Sequence, residues 1–316
     1  MRSTMHASPK GGLSMCDVSV IIVNYNTWHL LRDCLASVCA DAQASGLQVE
    51  VIVVDNGSTD GSPELVAQHF PQVRLLRNAR NVGYAGGTNQ GIRVSTGRNV
   101  LLLNSDTVVR PGALREMCAK LDARQDLAGV APKLTNPDGS IQQSCWLFPL
   151  RALVVHVFGL GRLGLVDDYR SWDHRRDREV PWVSSAALLV PRRVLERVGL
   201  LDEEFFYGVD TDWCHRAARM RYRFLSLASA EIVHYGRGSR QGPLDAQFAG
   251  GPQVQERYVR KHYGSWGVVL FRGLLFFGGL PRLVAWEVRH RLRPDPTADA
   301  RRTVYRRLLS YALIGR

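Results

Sequence analysis

The fold is decided by Leu101-Leu102-Leu103-Asn104-Ser105-Asp106-Thr107, an apolar run that ends in a short polar step. Consecutive leucines are typical of a strand that is covered on both faces, as in the parallel sheets of α/β proteins. Because a buried strand has no use for an acid, Asp106 is expected just past the strand's carboxyl end, where open α/β sheets bind ligands. The alternative is that Asn104 to Asp106 form an ordinary polar turn.

The same pattern occurs three times earlier in the chain: an apolar strand, a cluster of Asn, Asp, Gly or Ser, and then a helical pattern. The strands and clusters are 18–23 with 24–27, 49–54 with 55–62, and 73–76 with 78–89. The helical patterns run from Trp28 to about Cys39, from Pro63 onward, and from about Asn89 to Ser95. This alternation predicts an α/β fold, a mostly parallel central sheet with helices on both faces. Any single cluster is explained as a turn, but right-handed crossovers would bring all four to one edge, which favours a pocket.

Composition narrows the class of protein. Of 316 residues, 45% are hydrophobic and 22% are charged, as in a folded globular protein. The six cysteines are scattered, without a CxxC pair or a Cys/His cluster at zinc spacing, so we expect a reducing compartment and no structural zinc. Residues 1–16 lack the apolar core of a secretory signal and are expected to form the disordered tail of a cytoplasmic protein.

The net charge of +12 is concentrated at the carboxyl end. From Arg257 to Arg316 there are 13 Lys and Arg residues against 3 acids, whereas the rest of the chain has 28 against 26. The main domain is therefore nearly neutral, which argues against a nucleic-acid function. Aromatic residues of the basic region sit in apolar runs and do not alternate with basic residues, so no nucleic-acid partner is expected.

Four motifs, by their order and spacing, resemble those of a known family. They are Val20-Ile21-Ile22-Val23-Asn24-Tyr25-Asn26, Val53-Val54-Asp55-Asn56-Gly57-Ser58-Thr59-Asp60-Gly61, Asn81-Val82-Gly83-Tyr84-Ala85-Gly86-Gly87-Thr88-Asn89-Gln90-Gly91 and Leu103-Asn104-Ser105-Asp106-Thr107. The set resembles the nucleotide-sugar half of family 2 glycosyltransferases and is most similar to their rhamnosyltransferase-like branch. The resemblance covers about residues 18–262. It implies the Rossmann-like GT-A fold and an inverting transfer that depends on Mg²⁺ or Mn²⁺.

The resemblance divides the chain into three parts. Residues 17–262 would form the GT-A domain, with a nucleotide-sugar half at 17–107 and an acceptor and catalytic half at 108–262. Residues 263–316 would form a basic amphipathic helical extension. Residues 145–180 have no firm assignment, and a mobile loop near the acceptor is one interpretation of them.

The resemblance implies that a nucleotide-diphosphate sugar donor lies on the residues that follow the strands. Asp55 is expected to accept hydrogen bonds from the base or ribose, over a floor formed by the backbone from Val23 to Tyr25. The expected donor-binding residues are Val23, Asn24, Tyr25, Asp55, Asn81, Gly83, Asn104, Ser105 and Asp106. Without the family match, an Asp that opens a turn is an equally good interpretation of Asp55.

Asp106 and His234 are the expected metal ligands. His234 lies in Ile232-Val233-His234-Tyr235-Gly236-Arg237-Gly238-Ser239, which resembles the family's late His motif. Few protein ligands suffice for Mg²⁺ or Mn²⁺, because the ion also binds water and the diphosphate oxygens. Asn104 stands where the family often has a second acid, so metal binding would depend more on the diphosphate. A single His after a strand is otherwise a structural residue.

The resemblance assigns the general base to Asp210. It lies in a motif in which the position of Val209 usually carries Glu, and it follows the aromatic segment 205–207. A carboxylate beside apolar rings has a raised pKa, which suits a general base. The expected acceptor-side residues are Trp182, Ser184, Ser185 (where Gly is common), Asp212 and Trp213. Alternatively, Asp210 and Asp212 are acids that stabilise a helix N-terminus.

Together these residues predict a glycosyltransferase that moves a sugar to a hydroxyl of a cell-surface glycan or a lipid-linked precursor. The branch suggests rhamnose from dTDP-rhamnose as the donor. Two alternatives stay open: a family 2 transferase that uses a UDP-sugar, and a non-catalytic nucleotide-sugar binding protein. In the second alternative, Asn104 and Val209 are signs of lost activity.

The carboxyl-terminal region predicts peripheral contact with a membrane. Residues 268–286 are apolar but interrupted by Arg272, Pro281 and Arg282, so an interfacial element is a better interpretation than a spanning helix. The arginines from Arg289 to Arg307 could meet anionic lipid at the inner face of the plasma membrane. The alternative is a helical hairpin that packs on the domain or forms a homodimer interface.

Overall fold

The computed structural model describes residues 16–161, 163–167, 169, 172–205, 208–236, 251–293 and 295–315. The predicted disordered tail lies outside this set, apart from Cys16. Residues 206–207 of the aromatic segment and residues 237–239 of the His motif also lie outside it. Every predicted site residue lies within the described part.

The first half of the chain forms a parallel sheet with three helices. Its elements are β1 (Val18–Asn24), α1 (Trp28–Ser45), β2 (Val49–Asp55), α2 (Ser62–His69), β3 (Arg74–Arg77), α3 (Gly83–Val94) and β4 (Asn99–Asn104). The strands pair in the order β3-β2-β1-β4, all parallel. In this register Asn24 lies beside Asp55, and Val23 lies beside Asn104. The polar strand ends therefore lie at one edge of the sheet, as predicted.

The second half extends this sheet with strands of both directions. Its elements are β5 (Thr107–Val109), α4 (Ala113–Ala123), β6 (Leu127–Thr135), β7 (Cys145–Trp146), α5 (Pro149–Val157), β8 (Arg178–Val180), β9 (Trp182–Val183), β10 (Ala187–Pro191), α6 (Arg192–Val198), α7 (Val209–Arg219) and β11 (Arg223–His234). The strand order continues β4-β10-β6-β11-β5, with β8 beside β11, while β7 and β9 form a small separate sheet. β10 runs antiparallel to β4 and β6, and β11 runs parallel to β6 and antiparallel to β5 and β8.

The predicted α/β fold with a central sheet is confirmed, and the sheet as a whole is mixed. Parallel pairing joins the four strands of the nucleotide-sugar half. β10 opposes its neighbours because it begins at Ala187, beside Leu103 at the carboxyl end of β4. The chain thus enters β10 from the edge at which the parallel strands end.

Two helices form the carboxyl-terminal extension: α8 (Pro252–Leu292) and α9 (Pro296–Ile314). Gly264 interrupts α8 with a non-helical backbone (φ 67°, ψ −163°), a conformation that glycine adopts readily. By length and composition α8 could cross a membrane, since its most apolar window has a mean hydropathy of 1.7. Arg272, Pro281 and Arg282 interrupt its apolar run, and the interfacial interpretation of this segment stays a prediction.

Apolar side chains fill both faces of the sheet, as predicted for strands covered by helices. Along β4, Leu101 and Leu103 face one cluster, which includes residues of α1 and α4. Val100 and Leu102 face the other cluster, which includes residues of α3, α7 and α8. The alternation along one buried strand shows why its sequence is apolar at every position.

Two helices differ in length from the prediction. α1 was expected to end near Cys39 and runs to Ser45, where Gly46 in the left-handed region (φ 73°) caps it. α3 begins at Gly83, several residues before the predicted start. The glycines of α3 serve close packing, because a Cβ on Gly91 would come within 2.5 Å of Ile21 Cγ2 on β1.

Buried Glu256 fixes the two parts of α8 to each other and to α9. Its carboxylate accepts hydrogen bonds from Arg272 Nε (2.7 Å), Arg260 Nη2 (2.7 Å) and the Tyr311 hydroxyl (2.8 Å). Burial alone would raise the pKa of Glu256, but the hydrogen bonds from Arg272, Tyr311 and Arg260 lower it to about 2. The extension is therefore organised by one charged cluster that spans the break at Gly264.

Glu256→Gln is expected to reduce the free energy of unfolding by about 2 kcal/mol, because the buried acceptor shared by Arg272, Arg260 and the Tyr311 hydroxyl loses its charge. The folded pKa lies below the ordinary value of 4.5, so the contribution is complete above pH 4.5 and is lost as pH falls toward 2. Urea unfolding at neutral pH and at successively lower pH values measures both the loss of stability in the variant and the dependence of that loss on pH. Glu204→Gln is the matched control, since Glu204 pairs with Arg257 at the surface and should contribute less than about 1 kcal/mol. Equal losses in the two variants would contradict this account of α8.

Candidate active site

Asn24 and Asp55, at the ends of β1 and β2, form the floor of the predicted donor pocket. Asn24 Nδ2 donates to Asp55 Oδ1 (2.9 Å), and Asn24 Oδ1 accepts from Thr27 Oγ1 (2.7 Å). Asp55 also accepts from the backbone N–H of Gly57 (3.1 Å) and Ser58 (2.9 Å) and from the Ser58 hydroxyl (2.6 Å). Both carboxylate oxygens of Asp55 thus fix the loop after β2. Its predicted hydrogen bond to the nucleotide stays a prediction.

Tyr25, Asn81 and Gly83 lie on the accessible rim of this edge. Tyr25 follows β1 and is largely exposed. Asn81 Oδ1 accepts from the backbone N–H of Gly83 (2.8 Å), which begins α3 with a φ of 80°. A Cβ added to Gly83 would meet no atom within 4 Å, so the space in front of it is open. The rim therefore leaves room for a ligand beside the floor.

Asp106 and His234 meet where β5 pairs with β11. Asp106 directly precedes β5, and the antiparallel register sets His234 beside Thr107. His234 Nε2 lies 3.2 Å from Asp106 Oδ1 and 3.3 Å from Asn104 Nδ2. The Ser105 hydroxyl is buried and lies 3.0 Å from Thr27 Oγ1. Because Thr27 also donates to Asn24, this contact connects residues 104–106 to the floor of the predicted donor pocket. The structure thus brings together the two predicted metal ligands, which are far apart in the sequence.

Gln142 orients the His234 ring. Its side-chain Nε2 donates to Asn136 Oδ1 (2.9 Å) and to the His234 carbonyl (3.2 Å), which leaves Oε1 facing the imidazole. Oε1 lies 2.6 Å from His234 Nδ1 and can only accept, so Nδ1 carries the proton. The assigned hydrogen bonds therefore direct the lone pair of Nε2 toward Asp106, which is the tautomer that a metal ligand requires.

The Asp106–His234 pair has the separation of two neighbouring ligands on one ion. An octahedral ion with ligand distances of about 2.1 Å holds adjacent ligand atoms about 3 Å apart. The observed distance between His234 Nε2 and Asp106 Oδ1 is 3.2 Å. In the described residues, no group of three or more His, Cys, Asp or Glu side chains could hold a metal. The pair therefore fits an ion that takes its other ligands from substrate phosphates and water, as Mg²⁺ commonly does.

Asp210 lies in the first turn of α7 and borders the same edge. Its carboxylate accepts from the backbone N–H of Ser185 (3.2 Å) and Thr211 (2.8 Å). Burial raises the pKa of Asp210 above its ordinary value, and these N–H groups offset only part of the effect. Ser185 precedes Ala186, whose carbonyl accepts from the Asn104 N–H (3.0 Å). One short segment thus connects the candidate base with the metal motif.

Asp212 and Trp213 do not lie on the acceptor surface, which corrects their predicted position. Their side chains are 0% and 1% exposed, respectively. Asp212 contacts Arg216 Nε (3.0 Å), Lys261 Nζ (2.6 Å) and His262 Nε2 (2.8 Å). Burial would raise the pKa of Asp212, but the hydrogen bonds from His262 and Lys261 and the charge of Arg216 lower it far below the ordinary value. Asp212 therefore joins α7 to α8, because its partners Lys261 and His262 are on α8.

Trp182 and Ser184 border the candidate base from the side of β9. The Trp182 indole donates to the Leu147 carbonyl (3.2 Å), and the Ser184 N–H donates to the Ser144 carbonyl (2.8 Å). These bonds fix the segment whose next residue, Ser185, holds Asp210. The predicted contact of Trp182, Ser184 and Ser185 with an acceptor stays a prediction.

Two residues that matter to the site carried no predicted role: Gln142 and Asn89. Buried Asn89 donates to the Leu201 carbonyl (2.8 Å) and to Glu203 Oε1 (2.9 Å), and its Oδ1 accepts from the Leu201 N–H (3.0 Å). It thereby joins α3 to the loop before α7. The sequence contains one indication for Asn89, a polar amide within a glycine-rich helix. Gln142 lies in a loop whose sequence has no recognisable motif.

The sequence model of glycosyl transferase family 2 matches residues 19–182, which is just over half of the chain. The chain belongs to this family. The transferase is 30% identical over 239 residues to an N-acetylglucosaminyl-diphospho-decaprenol L-rhamnosyltransferase of Mycobacterium tuberculosis, covering 70% of this chain and 77% of that relative. It is 24% identical over 224 residues to the low-salt glycan biosynthesis hexosyltransferase Agl10 of Haloferax volcanii, covering 69% of this chain and 67% of that one.

Solved structures of similar fold are also glycosyltransferases. The mannosyltransferase PcManGT from Pyrobaculum calidifontis, in complex with GDP-Man and Mn²⁺, superposes with a TM-score of 0.58 at 18% identity, over 94% of this transferase and 86% of that chain. S. aureus TarS 1–349 in complex with UDP-GlcNAc gives 0.52 at 14% identity, over 94% and 81%. At these identities the likeness concerns the fold, and the predicted GT-A fold is confirmed.

Gln142→Leu is expected to weaken Mn²⁺ binding about tenfold, since loss of an orienting second partner lets the ligand ring change tautomer and rotate. Mn²⁺ binding in the presence of dTDP, followed by electron paramagnetic resonance, measures this without a transfer assay. Gln143→Leu is the matched control, because Gln143 contacts only the Cys145 carbonyl (3.4 Å) among the described residues. Gln142→Glu keeps an oxygen for Nδ1–H and should retain binding. Equal Mn²⁺ affinity in the two leucine variants would rule out the role of Gln142.

Proposed function

We propose that this family 2 transferase is inverting and metal-dependent, and that it moves rhamnose from dTDP-rhamnose to a hydroxyl of a lipid-linked precursor of a cell-surface glycan. The observation that carries the proposal is the arrangement at the carboxyl edge of the sheet. There the Asp106–His234 pair and Asp210 are joined through the segment from Ser185 to Ala187. This transfer needs two elements. One is a pair of side chains that hold a metal ion against the diphosphate, and the other is a partly buried acid that faces the acceptor.

The transfer is a single displacement at the anomeric carbon. The acceptor oxygen forms a bond to that carbon while the bond from the carbon to the diphosphate oxygen breaks. The acceptor proton passes to a carboxylate oxygen of Asp210, whose raised pKa makes it a better proton acceptor than an exposed aspartate. A divalent ion held by Asp106 and His234 would neutralise the negative charge on the leaving diphosphate.

The donor would lie across the strand ends of the nucleotide-sugar half. Asn24 and Asp55 keep the loops after β1 and β2 in place, and the open space before Gly83 accommodates the nucleotide. The GDP-Man and UDP-GlcNAc complexes of the structural neighbours support a nucleotide-sugar ligand for this fold. The choice of dTDP-rhamnose is supported by the mycobacterial relative, whose name denotes a rhamnosyltransferase.

The proposed acceptor is supported by the name of the same mycobacterial relative. Its name denotes a sugar carried on a decaprenyl diphosphate, which is a membrane lipid. A lipid-linked acceptor would bring the enzyme to the cytoplasmic face of the plasma membrane as a peripheral protein. The apolar helix α8 supports this location. We propose the same class of acceptor here without naming its first sugar.

Asp210→Asn is expected to lower the rate of transfer by about 10²- to 10⁴-fold, because the amide cannot take the acceptor proton. In the wild type, the rate should fall as pH drops through the raised pKa of Asp210, since only the carboxylate acts as base. Transfer of the labelled sugar to an acceptor lipid, measured across pH, gives both results. Asp33→Asn, on the exposed surface of α1, is the control with unchanged rate. Full turnover in Asp210→Asn would remove Asp210 from the role of base.

Addition of dTDP-rhamnose with Mn²⁺ is expected to raise the melting temperature more than other nucleotide sugars do. A donor at about 100 times its dissociation constant stabilises the folded state by about 2.7 kcal/mol. Thermal unfolding with dTDP-rhamnose, UDP-sugars and GDP-mannose compares the candidates. The shift should be lost in Asp106→Asn, where the diphosphate lacks its metal, and kept in Asp33→Asn. A larger shift with a UDP-sugar would replace the proposed donor, and binding without turnover would favour a non-catalytic binding protein.

A further inference from the structure

One face of α8 carries an exposed apolar stripe after the break at Gly264. The stripe consists of Trp266, Leu270, Phe277, Leu280, Val284 and Val288. These residues are separated by three, four or seven positions, which places them on a single face of the helix. Their exposed fractions range from 41% for Leu280 to 85% for Trp266. At about 1.5 Å per residue the stripe is about 33 Å long, and contiguous apolar surfaces of this kind mark interaction sites.

The opposite face of α8 is packed on the protein. Phe271 and Leu275 belong to the apolar cluster that also contains residues of α7 and the sheet. Gly278 faces α5 so closely that a Cβ would come within 2.6 Å of Val157 Cγ2. Arg272, which interrupts the apolar run in the sequence, points inward to Glu256. The helix therefore cannot insert across a bilayer without uncovering this core, and its free side can only lie along a surface.

The turn after α5 adds exposed apolar residues next to α8. Arg282 Nη2 donates to the His156 carbonyl (3.2 Å), which holds the end of α5 against the helix. Phe158, Leu163 and Leu165 follow in this turn and are 62% to 69% exposed. The turn belongs to the segment that had no firm assignment from the sequence. Its exposed side chains add apolar surface at the end of α5.

Positive charge lies at the carboxyl end of the stripe. Between Glu287 and Arg307 there are seven arginines against three acids, a balance of +4. Arg289, Arg291, Arg293, Arg301 and Arg307 are exposed. A bilayer with anionic headgroups supplies both a partner for this charge and an apolar layer for the stripe. A second copy brings no net negative charge, since residues 257–316 carry +10 and the rest of the chain +2.

We propose that the apolar stripe docks this protein onto an anionic bilayer surface, with α8 lying in the plane of the interface. The arginines at the end of α8 contact the lipid headgroups, and Trp266 lies at the headgroup level near the other end. The inference deepens the proposed function, on which it rests for its lipid-linked acceptor. Binding to vesicles is nevertheless measured without donor or acceptor, so failure of one does not imply failure of the other.

Co-sedimentation of the full chain with lipid vesicles tests the proposal. The wild type should bind vesicles that contain phosphatidylglycerol and bind less to vesicles of phosphatidylcholine alone. The double variant Leu270→Glu with Phe277→Glu should need at least tenfold more lipid for half-maximal binding, because two acids then replace apolar side chains that would enter the bilayer. Met220→Glu, at an exposed apolar residue just after α7, is the matched control with unchanged binding. Arg289→Gln with Arg291→Gln and Arg293→Gln should lower binding only to the anionic vesicles.

Controls for folding, mode of attachment and oligomeric state accompany the vesicle assay. Circular dichroism and the melting temperature verify that the variants are folded. We expect them to fold, because the substituted side chains are exposed. Alkaline carbonate should release the wild-type protein from membranes, and resistance to release would overturn the in-plane arrangement. Equal vesicle binding by the double variant and the wild type would overturn the docking surface. So would a wild-type dimer that binds no vesicles and becomes monomeric in the double variant, because a second copy would then cover the stripe.

Discussion

The active site depends on the pairing of β10 with β4. This antiparallel pair joins the nucleotide-sugar half of the sheet to the second half, with Ala187 beside Leu103 and the Asn104 N–H bonded to the Ala186 carbonyl. The segment that enters β10 must therefore pass the carboxyl edge of the parallel strands. Ser185 lies in this segment and holds Asp210 through its N–H. A sheet that was parallel throughout would carry this segment to the opposite edge, away from Asp106.

The parts of the site that follow from local pattern could be predicted, and the parts that depend on distant contacts could not. Asp106 was placed correctly because an apolar strand and the topology of parallel sheets suffice to locate its end. His234 required a family motif, since nothing near it in the sequence indicates a metal. Gln142 gave no signal at all, because its role arises only when its loop meets the end of β11. Asp212 was assigned to the acceptor side because its partners Lys261 and His262 lie some fifty residues further on.

Two aspartates in one helical turn have opposite electrostatic environments. Both Asp210 and Asp212 are partly or wholly removed from water, which by itself raises the pKa of a carboxyl group. Burial keeps the pKa of Asp210 raised, because its hydrogen-bond donors are uncharged: the N–H groups of Ser185 and Thr211 and the Thr211 hydroxyl. Asp212 accepts hydrogen bonds from His262 and Lys261 and lies beside the charge of Arg216, so its pKa is lowered. The separation of the two pKa values agrees with the proposed role of Asp210 in proton transfer, whereas the contacts of Asp212 are structural.

Helix α8 connects α7, which carries the proposed base Asp210, with the surface that we assign to the bilayer. Its first part carries Lys261 and His262, which bind Asp212 on α7, and its second part carries the apolar stripe. A glycine break between the two parts would by itself permit independent motion. Glu256 precedes the break and Arg272 follows it, so their ion pair at 2.7 Å opposes that motion. The α7 turn that holds Asp210 is thereby fixed relative to the stripe, and docking on a membrane would orient the site toward an acceptor that is itself anchored in lipid.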